Sequence, residues 1–149
     1  EADWLSPMKA ERPDLHLTGL DQRKHPARPG ADELVCGDLM NASLFKPASF
    51  DAIVAISVIE HVGIGRYGAP IAEDGDTRAM ASLKRWLKPD GFVYMDVPYR
   101  PKGDSTPFRQ YNRADLLERV VKGWRIVEEQ VFEVDHPDAP YIAMVLRPA

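Results

Sequence analysis

The stretch from residue 50 to residue 98 decides the fold of this chain. It opens with the apolar run FDAIVAIS (residues 50–57) and closes with FVYMDVP (residues 92–98). Between these runs lie a polar tip, a glycine-rich loop, an amphipathic helix and the turn LKPDG (residues 87–91). Strand, helix and strand in this order predict a βαβ crossover in a parallel sheet. The unbroken apolar character of Asp51–Ser57 is typical of a strand that is buried on both faces.

The chain on either side of this segment contains further predicted strands. Their bounds are Leu15–Leu20, Glu33–Cys36, Trp124–Glu133 and Tyr141–Leu146. The connection before the last strand is too short for a crossover helix, so we expect the final two strands to be antiparallel. The predicted fold class is therefore α/β, with a mostly parallel sheet and an antiparallel C-terminal strand.

Two helices have clear boundaries and one apolar face each. The first is predicted to begin near Asp76, a good N-cap, and to end before the LKPDG turn. The second is predicted to begin after Asn112 and to end at Gly123, which suits the C′ position. At helical spacing the residues that face the core should be Ala79, Met80, Leu83, Trp86 and Leu87 in the first helix, and Leu116, Leu117, Val120 and Val121 in the second.

The composition is that of an ordinary globular domain and argues against several classes of protein. The 149 residues are 44% hydrophobic and 28% charged, with a net charge of −4. This length suits one domain, and no basic excess favours nucleic acid or an anionic membrane as a partner. No apolar run reaches the length of a membrane span. The single Cys36 excludes an intrachain disulfide and favours a reducing, cytoplasmic compartment.

Two patterns that suggest other chemistry are weak in this context. Residues 63–68 match G-x-G-x-x-G, but Pro70 and an acidic stretch follow where a dinucleotide fingerprint requires a helix. Asp74 and Asp76 have a spacing that also occurs in metal sites, yet the remainder of a calcium loop is missing and a helix cap explains Asp76. We therefore predict no metal site, and we do not expect nicotinamide binding from the glycines.

Five short motifs occur in a particular order at strand ends and turns. They are Leu20-Asp21, Gly37-Asp38-Leu39, Phe50-Asp51, Glu60-His61-Val62 and Leu87-Lys88-Pro89-Asp90-Gly91. In this order and spacing they resemble the class I S-adenosylmethionine-dependent methyltransferases, of the small methyltransferase-domain type. The resemblance covers most of the chain and implies a Rossmann-like three-layer sandwich.

One part of the family pattern is missing from this sequence. The family's first strand and its glycine-rich loop have no counterpart, since no glycine precedes Gly19 and the residues before Leu15 read as a helix. In the family that loop carries the methionine portion of the cofactor, because only glycine lets the backbone approach so closely. We therefore expect residues 1–149 to form a single methyltransferase-like domain that lacks its first strand, as an N-terminally truncated piece of a longer protein.

The resemblance implies S-adenosylmethionine as the cofactor and assigns residues to it. Asp21 would accept hydrogen bonds from both ribose hydroxyls, for which a carboxylate has enough lone pairs. Asp38 would accept a hydrogen bond from the adenine amino group. The alternative for both acids is a simple turn at the end of a strand. The further cofactor contacts, through backbone and shape, would come from Gly37, Leu39, Ser57, Val58 and Ile59.

Glu60 and His61 are the candidates for catalytic chemistry. Methyl transfer from a sulfonium is an in-line displacement, so alignment of the reacting atoms does most of the work. A base is needed only where the acceptor must lose a proton, and histidine titrates in the right range. The alternative is that both residues are structural, with His61 hydrogen-bonded to a nearby loop.

Four side chains are candidates for contacting the acceptor: Arg66, Tyr67, Tyr99 and Arg109. The first two belong to the glycine-rich loop, for which a plain surface loop is the alternative. Arg109 suits an acidic acceptor, and its alternative is an ion pair with Asp115 or Glu118.

The function that this reading predicts is methyl transfer from S-adenosylmethionine to a small-molecule or sugar-like acceptor. A non-catalytic binding module with the same fold is the first alternative, because folds host many functions. A nicotinamide or nucleotide-sugar enzyme on the same layout is the second. The sequence leaves open the acceptor, the acceptor atom and the oligomeric state.

Overall fold

The structure, a computed structural model, describes residues 4–66, 68–100, 108–133 and 140–149 of the chain. The chain divides into two compact units, Glu1–Leu39 and Met40–Ala149. The predicted acceptor contact Tyr67 and the connection between the last two strands, residues 134–139, lie outside the described residues. No helix within the described ranges is long and apolar enough to cross a membrane.

The first unit combines one short helix with a two-stranded parallel sheet. Its elements are α1 (Leu5–Glu11), β1 (Thr18–Asp21) and β2 (Glu33–Cys36). The carboxylate of Asp32 accepts hydrogen bonds from Lys9 Nζ and Leu17 N, at 2.8 and 2.7 Å, and so ties the helix to the starts of both strands. The predicted bounds of β2 are confirmed, whereas β1 begins at Thr18 rather than Leu15.

The second unit is built around a four-stranded mixed sheet. Its elements are β3 (Phe50–Ile56), α2 (Gly75–Trp86), β4 (Leu87–Pro98), α3 (Arg113–Asp115) with a π-helical continuation (Leu116–Val120), β5 (Trp124–Glu133) and β6 (Pro140–Pro148). The strand order is β3-β4-β6-β5, in which β3 and β4 are parallel and β6 is antiparallel to both of its neighbours. The predicted βαβ crossover and the predicted antiparallel pair at the C-terminal end are both confirmed.

The apolar face of α2 is confirmed, but both ends of the helix differ from the prediction. The five residues expected to face the core are each at most 4% exposed, and Trp86 Nε1 donates a hydrogen bond to Ala42 O at 2.8 Å. The N-cap position is Asp74, so the cap predicted near Asp76 is wrong. The LKPDG segment is not a separate turn, because Leu87 already pairs with Phe50 and the segment forms an irregularity within β4.

The strand β3 is less buried than its apolar sequence predicts. Asp51 and Ala52 are exposed, and the Val54 side chain is 51% exposed. The expectation of burial on both faces is therefore wrong for this strand. Among the described residues β3 pairs with one neighbour only, β4, so it is an edge strand of its sheet.

The helix after Asn112 is confirmed in position but differs in geometry. The Asn112 side chain accepts a hydrogen bond from Asp115 N at 2.9 Å, as an N-cap should. The next turn is π-helical, and Val121 N donates to Leu116 O at 2.9 Å, five residues back. The wider turn leaves Leu117 46% exposed while Leu116 is fully buried, so the inward position predicted for Leu117 is wrong.

Candidate functional site

The carboxyl ends of β3 and β4 bring three polar side chains together in the second unit. Ile56 of β3 is level with Asp96 of β4, and the next residue, Ser57, donates its backbone N–H to Asp96 Oδ1 at 2.8 Å. Ser57 Oγ donates to Glu60 Oε1 at 2.6 Å. Ser57 has a φ of +50°, which a non-glycine residue adopts at some cost. The strained turn thus holds one hydroxyl against one buried carboxyl group.

Glu60 is the most perturbed carboxyl group of this cluster. It lies in the 3₁₀-helical turn Ile59–His61 and is fully buried, and its Oε2 has no hydrogen-bond partner in the described structure. Burial raises the pKa of Glu60 to about 7; the hydrogen bond from Ser57 opposes the rise and the charge of Asp96 adds to it. A carboxyl group with this pKa exchanges its proton near neutral pH, which suits acid–base work.

Asp96 and His61 complete the cluster. Burial raises the pKa of Asp96, although the N–H of Ser57 opposes the rise. His61 Nε2 lies 3.8 Å from Glu60 Oε1, and its ring packs edge-on against Phe108 with centroids 5.7 Å apart. Burial and the positive charge of Arg66 lower the pKa of His61, so the ring is neutral at pH 7 and able to accept a proton.

A second polar cluster of the same unit is centred on Asp76. Its carboxylate is fully buried and accepts hydrogen bonds from Arg119 Nε and Nη2, at 2.9 and 2.8 Å. Tyr111 Oη donates to the same carboxylate at 3.0 Å. Asp76 is therefore an internal anchor that joins α2 to the π-helical turn, a role that its sequence context did not indicate.

Arg109 is bound to backbone carbonyls rather than to an acidic side chain of the following helical segment. Its guanidinium donates to the carbonyls of Val62, Ala72 and Glu73, and its Nε lies 3.8 Å from an Asp76 oxygen. The ion pair with Asp115 or Glu118 that we considered is not formed in the described structure. The backbone N–H of Arg109 also donates to Glu60 O at 3.1 Å, so this residue fixes the turn that carries Glu60.

The glycine-rich loop folds back on itself before α2 begins. Ile64 and Ile71 form an isolated antiparallel bridge, and Ala72 N donates to Gly63 O at 2.8 Å. Gly63 has a φ of +76°, and a Cβ atom there would lie 2.4 Å from Ala72 O. Gly63 therefore allows the loop to pack tightly against Ala72. Arg66 is exposed on this loop.

Asp21 in the first unit lies where a ribose-binding acid was predicted, at the carboxyl end of β1. Its carboxylate accepts the backbone N–H of Arg23 at 2.8 Å, and His25 Nε2 lies 2.7 Å from its second oxygen. Partial burial pushes the pKa of Asp21 upward, but the hydrogen bonds from Arg23 and His25 outweigh it and the pKa is lowered. Both oxygens of this acid are thus engaged by its own loop.

The second predicted cofactor acid, Asp38, lies beside Asp21 at the same edge of the small sheet. Asp21 is level with Cys36, and Gly37 N donates to Asp21 O at 3.0 Å. Asp38 and Leu39 follow directly and are half-buried. A ribose diol and an adenine amino group both donate hydrogen bonds, and two carboxylates at one edge of the sheet could accept them.

The remaining predicted contacts lie at the strand ends of the second unit. Ser57 and Val58 are exposed and Ile59 is fully buried. Tyr99 is half-buried at the end of β4, where it forms a bridge with Tyr111. The described residues contain no group of three or more His, Cys, Asp or Glu side chains arranged to hold a metal ion.

Sequence reasoning missed three residues that matter in these clusters: Asp96, Arg119 and His25. Asp96 lies inside an apolar strand, and a buried acid near a strand end is a signal that could have found it. Arg119 and His25 gave no such signal, because their partners are distant or lie in a loop without a regular pattern.

Several solved structures have the same fold as this chain. One is 1,6-didemethyltoxoflavin-N1-methyltransferase of Burkholderia thailandensis, solved with 1,6-didemethyltoxoflavin and S-adenosylhomocysteine bound. The TM-score is 0.66 at 18% identity, and the match covers 89% of this chain and 60% of that one. An S-adenosylmethionine-dependent methyltransferase of Clostridium acetobutylicum gives a TM-score of 0.65 at 11% identity, over 92% of this chain and 77% of that one.

A third similar structure is a [4+2]-cyclase, SpnF, with a TM-score of 0.68 at 15% identity, over 96% of this chain and 71% of that one. At these identities the likeness establishes the fold and leaves the reaction open. No curated protein matches the sequence.

The chain therefore has the class I methyltransferase fold, and the predicted Rossmann-like fold class is confirmed. The chain belongs to the family described as "Caenorhabditis protein of unknown function, DUF268", whose model matches residues 35–115.

Proposed function

We propose that this chain is an S-adenosylmethionine-dependent methyltransferase acting on a small-molecule acceptor, which includes sugar-like acceptors. The observation that carries the proposal is Glu60, a buried carboxyl group with a pKa of about 7 in the turn that follows the carboxyl end of β3. In open α/β sheets ligands bind at that end. The named methyltransferases among the similar structures support the same reaction class.

The cofactor contacts of the proposal begin with Asp21 and Asp38. Asp21 would receive the ribose hydroxyls and Asp38 the adenine amino group, with the backbone of Gly37 and Leu39 beside them. The contribution of Ser57, Val58 and Ile59 is backbone and shape. When bound, the cofactor supplies an electrophilic methyl group on a sulfonium, and the protein residues need only align the acceptor and manage its proton.

Ser57 and Glu60 form the proton path of the proposal. The hydroxyl of Ser57 is within hydrogen-bond distance of Glu60 Oε1, at 2.6 Å, and Ser57 is exposed while Glu60 is fully buried. A proton released by an acceptor hydroxyl or amine at Ser57 can pass through its oxygen to Glu60. Neutral His61 is a second proton acceptor beside them. Arg66, Tyr67 and Tyr99 are the proposed acceptor contacts, and Arg109 positions Glu60.

A thermal-melting assay with the unmodified chain tests the cofactor class. We expect S-adenosylhomocysteine to raise the melting temperature in a saturable way and NAD to leave it unchanged, because a ligand that binds only the folded state stabilises it. Stabilisation by NAD and not by S-adenosylhomocysteine would instead support a nicotinamide enzyme on the same fold.

The alternative of a non-catalytic module has one observation in its favour. The carboxylate oxygens of Asp21 are already hydrogen-bonded to Arg23 and His25 of its own loop, so the ribose hydroxyls would have to displace these donors. A non-catalytic module that binds no such cofactor would show no rise in melting temperature with S-adenosylhomocysteine or with NAD.

A further inference from the structure

The short segment Phe108–Tyr111 crosses the carboxyl end of β4 and packs against the turn that carries Glu60. Tyr111 N donates to Pro98 O at 3.1 Å, and Arg109 N donates to Glu60 O at 3.1 Å. Tyr111 also forms a bridge with Tyr99, so the backbone is extended at Tyr111. The residues of an extended segment point alternately to opposite sides.

The contacts of the segment follow this alternation. Arg109 and Tyr111 both reach Asp76, at 3.8 Å and 3.0 Å. Phe108 instead contacts the ring of His61, with centroids 5.7 Å apart. Gln110 alternates with Arg109 and Tyr111, and from the contacts of these neighbours we infer that its side chain lies on the same side as Phe108 and His61.

The polar atoms on this side lack partners within the described structure. Both Gln110 Oε1 and Gln110 Nε2 are buried without a hydrogen bond, and so is His61 Nδ1. Each unpaired buried polar group lowers the free energy of unfolding, because its desolvation is not compensated. The amide groups of the other two glutamines, Gln22 and Gln130, are not among the unpaired buried atoms of the described residues.

We propose that Gln110 and His61 form a recognition site for an acceptor that carries an amide edge, meaning an N–H donor beside a C=O acceptor, as in a cyclic amide. The side-chain amide of Gln110 offers one donor and one acceptor side by side, and an amide edge pairs with both. A carboxylate offers acceptors alone and would leave Gln110 Oε1 unpaired. The site deepens the proposed function by naming its substrate class, and it rests on that function.

The first test measures the stability of Gln110→Met in the unmodified chain. Methionine has a similar size and no strong polar atom, so it removes two unpaired buried groups. We expect the melting temperature to rise, since the substitution removes the desolvation cost of two buried polar atoms that have no partner. Gln130→Met, at an exposed position of β5, is the matched control and should leave it unchanged. A fall for Gln110→Met alone would show that Gln110 is already satisfied and would overturn the proposal.

The second test measures binding of three probes by calorimetry in the presence of S-adenosylhomocysteine: 2-pyridone, benzoate and phenol. We expect 2-pyridone to bind at least about tenfold more tightly than the other two, and Gln110→Met to remove this preference, as the loss of paired hydrogen bonds to a buried amide predicts. Equal binding of the three probes, no binding at millimolar concentration, or a preference that survives Gln110→Met would overturn the proposal.

The same samples separate the two proposals. If S-adenosylhomocysteine binds and 2-pyridone shows no preference, the amide-edge site is wrong and the methyltransferase proposal stands. If S-adenosylhomocysteine itself does not bind, the proposed function is wrong and the inference falls with it.

Discussion

At the scale of single residues, the burial of Glu60 should be visible in the pH dependence of stability. Its pKa is raised from 4.5 to about 7 on folding, so the unfolded chain loses this proton first as the pH rises. The stability that the protonated Glu60 contributes below pH 4.5 is therefore lost as the pH rises from about 4.5 to 7. A rise of this size corresponds to a loss on the order of 3 kcal/mol.

Replacing Glu60 by glutamine removes this ionisation. We expect Glu60→Gln to be more stable than the unmodified chain at pH 8 and to lose the pH dependence between pH 4.5 and 7, as measured by urea unfolding at several pH values. Glu118→Gln is the control, because that side chain is 71% exposed. An unchanged pH profile for Glu60→Gln would show that the carboxyl group ionises at its ordinary pKa in the folded chain.

His25 provides a second prediction at this scale. Its Nε2 lies 2.7 Å from Asp21 Oδ2, the oxygen that a ribose hydroxyl would use under the proposed function. Removing this competitor in His25→Ala should tighten S-adenosylhomocysteine binding by about two- to tenfold, the worth of one hydrogen bond. Calorimetry checks it, with His16→Ala as the control, since that side chain is 70% exposed. Weaker binding in His25→Ala would mean that His25 holds Asp21 in its binding position.

At the scale of elements, α2 and the π-helical turn are joined through Asp76. The carboxylate is fully buried, whereas Arg119 is 33% exposed. Breaking a buried pair by removing one partner leaves an uncompensated charge. We expect Arg119→Met to cost about 3 kcal/mol, the low end of the range for buried pairs, because Arg119 is partly solvated.

A double-mutant cycle measures this coupling. Asp76→Asn and Arg119→Met should each lower the free energy of unfolding. The double variant should lose clearly less free energy than the two single variants together, because neither charge is then left without its partner. Arg113→Met is the control: its partner Glu129 is 39% exposed, and a surface pair of this kind contributes at most about 1 kcal/mol. Additive losses in the cycle would contradict the coupling.

The elements also show what the sequence could and could not predict. The crossover from β3 through α2 to β4 followed from hydrophobic periodicity, and the cap at Asn112 followed from residue type. The π-helical turn did not, because one wider turn changes which residues face inward without changing their apolar character. The exposure of Val54 depends on which strands pair with β3, and local pattern carries no information about pairing.

At the scale of the whole molecule, the fold could be predicted and the site only in part. The five motifs placed Asp21, Asp38, Glu60 and His61 at or after strand ends; the structure has Asp21 at the end of β1, Asp38 shortly after β2, and Glu60 and His61 in the turn after β3. Some contacts around the site join residues that are far apart in the chain: Ser57 pairs with Asp96, and Asp76 with Arg119. Such pairs follow from the packing of distant segments, which a single sequence does not display.

The similar structures show that this fold alone does not determine the reaction. Methyltransferases and a cyclase share this fold at low sequence identity. The reaction must therefore be decided by measurement at the residues, and cofactor binding is the property on which the proposed function depends.

The most direct measurement is a calorimetric titration of S-adenosylhomocysteine into the unmodified chain, Asp21→Ala and Asp14→Ala. Asp14 lies in the same unit with its side chain 62% exposed, so it controls for the loss of a carboxylate. We expect saturable binding by the unmodified chain and by Asp14→Ala, and binding at least about tenfold weaker for Asp21→Ala, as the loss of charged hydrogen bonds predicts. Absence of binding to the unmodified chain, or equal affinity for all three, would contradict the proposal that this chain binds the methyl donor through Asp21.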